Sequence, residues 1–146
     1  MKVRKRELVM NSGRDCYTFE MRVVGSSIDD CYIKVIREFS TLGLFRGVTC
    51  RGYHDMDFHG YAEYDTLEEF EEGIPYLTDG YGWESASFCV TIDGENVSCS
   101  LKPGELGVCM DIVGMKGSAV DRARDRMIDF AEENGWIWGP RPVFDD

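Results

Sequence analysis

The sequence predicts an α+β domain in which a duplicated β-α-β-β unit merges its strands into one mostly antiparallel sheet, with two long helices on one face. Three observations carry that expectation. Strand-like alternation recurs along the chain and includes a hairpin signal. Two segments show helical spacing of apolar residues and end near a glycine. The strand end Met21-Arg22-Val23-Val24-Gly25 returns as Met110-Asp111-Ile112-Val113-Gly114, with three identities in five. Self-similarity in a fixed order is the trace of a doubled fold.

The elements follow in order. Val3 to Met10 reads as a strand, and Asn11-Ser12-Gly13 as a turn, because Asn and Gly tolerate positive φ. Tyr17, Phe19, Met21 and Val23 alternate with Thr18, Glu20 and Arg22, the period of a half-buried strand. Ser26 or Ser27 caps the next helix, with Asp29 and Asp30 in its first turn. Ile28, Tyr32, Val35, Ile36 and Phe39 form its apolar stripe, and Gly43 is expected to close it. Short strands near Gly47–Tyr53 and Gly60–Tyr64 follow. Thr66-Leu67-Glu68-Glu69 is a capping box opening an acidic helix, which Gly73 and Pro75 are expected to end. Thr78 to Glu84 reads as a glycine-rich loop.

Phe88, Val90 and Ile92 then alternate into Asp93-Gly94-Glu95-Asn96, and Val97, Cys99 and Leu101 alternate out, which is a hairpin. Pro103-Gly104 turns the chain into a strand over Leu106–Val113. Ser118 opens a helix to about Glu133, striped by Val120, Ala123, Met127, Ile128 and Ala131 and stopped by Asn134-Gly135. Trp136-Ile137-Trp138 begins a last strand. One domain over residues 1–146 is expected, with repeats at about residues 2–73 and 84–144.

Composition narrows the function. A chain of 146 residues, 43% apolar and 29% charged, can bury a core without staples. No apolar run is long enough to span a bilayer, and the basic start MKVRKRELVM has too short an apolar part for a secretory signal. A cytoplasmic address and no membrane partner are expected. The net charge of −11 repels phosphate backbones, so nucleic acid is not the expected partner, whereas a cationic ligand or a basic protein is compatible. Cys16, Cys31, Cys50, Cys89, Cys99 and Cys109 form no CxxC pair and read as reduced, packed thiols.

Lys102-Pro103-Gly104-Glu105-Leu106-Gly107-Val108, Gly114, Ile128-Asp129-Phe130-Ala131-Glu132-Glu133-Asn134-Gly135-Trp136 and Gly139-Pro140 together resemble the second half of gyrase-inhibitor-like (GyrI-like) small-molecule-binding domains. Such domains also serve as effector-binding domains of multidrug-responsive transcription regulators. The layout from Tyr17 to Tyr64 is similar to their first half. The resemblance implies a standalone receptor with a pocket between the repeats for hydrophobic, often cationic molecules, and no cofactor. Members usually place an acidic residue and then an aromatic after the final Gly-Pro. Here Arg141-Pro142-Val143-Phe144 supplies the aromatic without the carboxylate.

A delocalised cation needs flat aromatic surface and a carboxylate. The candidate ligand-binding residues are Tyr61 and Glu63 on one strand face, Trp83 and Glu84 in the glycine-rich loop, and Trp136 and Trp138. A hydrolase of the same fold would use Glu63 or Glu84 as its pocket carboxylate. No nucleophile elbow or Cys/His pairing and no phosphate-binding glycine spacing is present. His54-Asp55-Met56-Asp57-Phe58-His59 holds both histidines, but it reads as a polar hairpin loop and no metal is assigned. Glu63, Asp65, Glu68, Glu69, Glu71 and Glu72 form an acidic run that could face a basic protein, as in an inhibitor or immunity-type protein.

Overall fold

The computed structural model describes residues 14–55, 58–78, 83–115 and 117–140, with side chains for all but residues 14, 53–55, 58–61, 75–78, 83, 84 and 140. The strand expected at Val3 to Met10 lies outside the described residues. Seven strands and three helices follow one another as β1 (Arg14–Arg22), α1 (Ile28–Phe39), β2 (Leu44–Asp55), β3 (Phe58–Tyr64), α2 (Leu67–Thr78), β4 (Trp83–Ile92), β5 (Glu95–Pro103), β6 (Val108–Met115), α3 (Ser118–Glu133) and β7 (Ile137–Pro140). The strands form one open antiparallel sheet in the order β3-β2-β4-β5-β6-β1-β7.

Alternation decides which face is dry. Tyr17, Phe19 and Met21 of β1 lie beside Ile112, Met110 and Val108 of β6, and Cys99 and Leu101 of β5 continue the layer to Phe88 and Ala86 of β4. All of these are buried. The helices cover this face. Phe39 of α1 meets Phe88 edge-on at 5.7 Å, Phe70 of α2 meets Tyr64 at 6.1 Å, and α3 lies over β5, β6 and β7. Glu38 of α1 contacts Arg126 of α3 at 2.8 Å, and Arg37 of α1 grips Glu71 of α2 with two bonds of 2.5 Å. No helix among the described residues is long and apolar enough to cross a membrane.

The topology interleaves two strand–helix–strand units. The strand after α3, β7, returns to pair with β1, so β1 lies between β6 and β7. The strand after α1, β2, lies on the other side of β6, with the β4–β5 hairpin standing between them. Removing that hairpin in thought leaves the order β3-β2-β6-β1-β7, in which each unit's second strand flanks the other unit's first.

Local chemistry explains the boundaries. Ser27 caps α1 by accepting the Asp30 N–H at 3.1 Å. That helix ends at Ser40 rather than at Gly43. Gly43 is needed for a different reason: a Cβ there would strike the Thr91 carbonyl of β4. Thr66 accepts the Glu69 N–H at 3.1 Å, as a capping box requires, and α2 then runs through Gly73 and Pro75 instead of stopping. A Cβ at Gly73 would fall on the Tyr64 ring, so glycine lets β3 pack against this helix. Asp93 and Gly94 both have positive φ, 51° and 83°, the signature of a two-residue type I′ turn between β4 and β5. The expected loop from Thr78 to Glu84 is shorter, because Trp83 and Glu84 already belong to β4. Ser118–Glu133 matches its expectation at both ends, with Gly135 at φ 71° terminating it.

Candidate functional site

The face of the sheet opposite the helices is polar. One row of residues crosses six strands in register, each directly opposite the next: Glu63 on β3, Thr49 on β2, Ser87 on β4, Ser100 on β5, Asp111 on β6 and Thr18 on β1. With neighbouring strands about 4.8 Å apart, the row spans about 24 Å. These positions are the polar members of the alternation whose apolar members fill the core, so the pattern that builds the core also lays out this surface.

A groove of about 460 Å³ runs along the middle of the row, over β2, β4, β5 and β6. Its floor carries Thr49, Ser87 and Ser100, with Cys89 and Val113 to one side. Glu63, Asp65 and Arg46 stand at the β3 end and Asp111 at the other. The pairing of β2 with β4 shifts between Phe45 and Val48, where Gly47 sits at φ 119°. That irregularity bends β2 at the groove's end, as bulges do.

Asp111 is the best-defined charge of the groove. Thr18 donates its hydroxyl proton to Asp111 Oδ1 at 2.7 Å, and Lys102 Nζ stands 3.9 Å from Oδ2. The Lys102 side chain is 48% exposed, so this cation only weakly offsets the carboxylate. Three carboxylates against one Arg and one peripheral Lys leave the groove net acidic.

The sequence-derived site residues do not converge in one place. Glu63 lies on the groove rim, exposed. Tyr61 shares its strand, and Trp83 and Glu84 open β4, but their side chains lie outside the described residues. Trp136 is buried in the core, edge-on to Phe130 at 5.7 Å, and half-buried Trp138 lies edge-on to Phe19 at 5.6 Å. Both tryptophans therefore belong to the helix-covered side. The side chains of His54 and His59 lie outside the described residues, and among the described residues no group of three or more His, Cys, Asp or Glu is placed to hold a metal ion. In the acidic run, Glu71 is bound to Arg37 and Glu69 reaches the Asp65 N–H at 3.4 Å, so part of it serves α2 itself.

Two buried carboxylates were not singled out by the sequence. Asp15 and Glu20 are 1% and 5% exposed. Asp15 accepts the Tyr17 hydroxyl only at a long 3.4 Å, while that hydroxyl donates to Asp121 Oδ1 of α3 at 3.0 Å. Arg124 Nη1 donates to both the Tyr17 and Asp121 oxygens at 3.0 Å, and its guanidinium lies over the Tyr17 ring. Burial, and then the bond to Asp121, pushes the Tyr17 hydroxyl up to about 12. Glu20 lies opposite Cys109 on β6 and Gly139 on β7, in the polar register, yet it is covered. The cover is the β5–β6 turn, closed by reciprocal Gly104 and Gly107 backbone bonds of 3.1 and 3.2 Å.

The cysteines are reduced, and Cys31, Cys50, Cys99 and Cys109 are buried. Burial pushes the Cys31 and Cys50 thiols up to about 12, which removes the thiolate that nucleophilic or redox chemistry requires at neutral pH. Compared with known proteins, the chain matches no family model, no curated protein and no solved structure.

Proposed function

We propose that this chain is a binding domain for a small cationic or hydrophobic molecule, organised like the GyrI-like receptors and holding its ligand on the open face of the sheet. The observation that carries the reading is the in-register row from Glu63 to Thr18, with its central groove left uncovered by all three helices. A groove of about 460 Å³ lies within the range of small-molecule sites. Its carboxylates supply counter-charge, and the hydroxyls of Thr49, Ser87 and Ser100 can turn to donate or accept as a ligand requires.

The interleaved strand order supports the same reading. The first strands of the two units, β1 and β6, pair with each other, and the groove lies between β2 of one unit and β6 of the other, with the β4–β5 hairpin as its floor. The groove's chemistry favours the cationic part of the ligand description, because hydroxyls and carboxylates outnumber apolar groups along the row.

A titration of the ¹⁵N-labelled chain with tetraphenylphosphonium, a lipophilic cation, tests this. Saturable amide shifts at Thr49, Ser87, Ser100 and Asp111 are expected, weakened in a Glu63→Gln, Asp111→Asn double variant. Shifts scattered over the whole surface, or none up to the probe's solubility limit, reject it.

A further inference from the structure

Glu20 marks a second concavity, on the polar face beyond the groove. Its carboxylate is 5% exposed, and Oε2 has no hydrogen-bond partner among the described residues. A buried acceptor left unmade is costly, and a buried carboxylate more so. Oε2 lies directly under the β5–β6 turn. Glu20 lines a separate pocket of about 360 Å³ bounded by Lys102, Pro103, Gly104, Glu105 and Cys109. Gly104 comes so close to Glu20 Oε2 that a Cβ there would overlap it, so the turn approaches the carboxylate closely and leaves the pocket beside it. Lys102 stands between this pocket and the groove and reaches toward Asp111, with Nζ 3.9 Å from Oδ2.

We propose that this pocket binds a small primary ammonium ion, with Glu20 Oε2 accepting one of its N–H bonds and Glu105 supplying a second carboxylate at the mouth. An ammonium offers three donors and a compact positive charge, which is what an orphaned, buried carboxylate acceptor lacks. Pro103 presents a ring and no backbone N–H, so it forms a wall for a short aliphatic tail. The site stands apart from the groove and does not depend on the reading given to it.

The test uses the full ¹⁵N-labelled chain titrated with n-butylammonium chloride, against sodium chloride of equal ionic strength and against n-butanol. Saturable shifts confined to the amides of Gly104, Gly107 and Cys109 are expected with n-butylammonium. Sodium chloride and n-butanol, which lack the charged N–H donors, should leave those amides in place. Glu20→Gln should weaken binding by about tenfold or more, the loss of a charge-assisted bond. Glu132→Gln on the exposed side of α3 changes the net charge equally and should not alter it. Equal shifts with n-butanol, no saturation with n-butylammonium, or undiminished binding by Glu20→Gln would each overturn the proposal. The n-butanol comparison decides the matter on the unaltered chain even where a variant fails to fold.

Discussion

Met21 and Met110 flank the Glu20–Cys109 pair of β1 and β6 but hold different places in their strands. Met21 is the last but one residue of β1, whereas Met110 is the third of β6, so the repeated five-residue segment leaves β1 after Arg22 yet stays wholly inside β6. Glu20 of β1 lies opposite Cys109 of β6, and each methionine follows its member of that pair by one residue on antiparallel strands. A half-turn about the Glu20–Cys109 pair therefore carries one methionine onto the other. Both side chains are 0% exposed and both point to the helix-covered face.

Equal burial implies a similar cost of truncation at the two sites. Met21→Ala and Met110→Ala should each destabilise the chain by about 2–5 kcal/mol, the usual cost of emptying a packed core site. Urea denaturation of the two single variants measures it. A cost at one site and none at the other would show that the register match has no counterpart in packing.

Gly73 and Gly94 test two different reasons for glycine. At Gly73 the neighbour is the Tyr64 ring, so Gly73→Ala should destabilise by about 1–3 kcal/mol despite alanine's better helix propensity. At Gly94 there is open space and the cost is the backbone at φ 83°, so Gly94→Ala should lose about 1 kcal/mol. A Tyr64→Leu background should relieve the first loss and leave the second unchanged. Thermal melts of the four combinations separate the two causes.

These glycines also show where sequence reading stops. Glycine at residues 43 and 73 predicts a helix end. That rule holds at Gly135, where the φ is positive, but Gly43 and Gly73 are glycine because another strand's backbone or ring comes too close for a Cβ. Such contacts are made by residues distant in sequence, which periodicity does not register. Strand alternation placed the core faces of β1, β4 and β5 correctly, because it is a local property. It also puts Glu20 on the polar side of β1 and gives no sign of its burial, since the turn that covers it comes from Pro103–Gly107. Among the candidate site residues whose side chains are described, Glu63 lines the groove and Trp136 lies in the core. A tryptophan beside a helix stop carries no local sign of which it will do.

Alkaline pH should unfold this chain progressively. The folded-state values of the Cys31 and Cys50 thiols lie near 12, against an ordinary value of 9.0, with burial as the first cause. A raised value means that folding requires the protonated form. Their contribution is therefore complete below about pH 9 and is lost as pH rises toward 12. Stability from urea curves should be flat through neutrality and then fall. A Cys31→Ala, Cys50→Ala variant should fall less steeply, by about two protons. An unchanged slope would assign the alkaline loss to other groups.

Charge in the groove should be visible through salt. With Glu63 and Asp111 at its two ends, affinity for tetraphenylphosphonium should decline between low and physiological ionic strength, because exposed charges are screened over about 8–10 Å. Asp111→Asn should flatten that dependence. Salt-independent binding would indicate that the ligand is held by apolar contact alone.

The position of β1 also sets a timetable for assembly. Both of its hydrogen-bonding edges are taken by residues 108–115 and 137–140, which leave the ribosome well after it. Nascent chain emerging before then has Tyr17, Phe19 and Met21 with no strand on either side. A fragment ending at residue 103 should bind a hydrophobic dye and be cleaved rapidly, whereas the full chain should resist. Closure of this sheet thus waits on contacts about ninety or more residues apart, the kind that slows folding most.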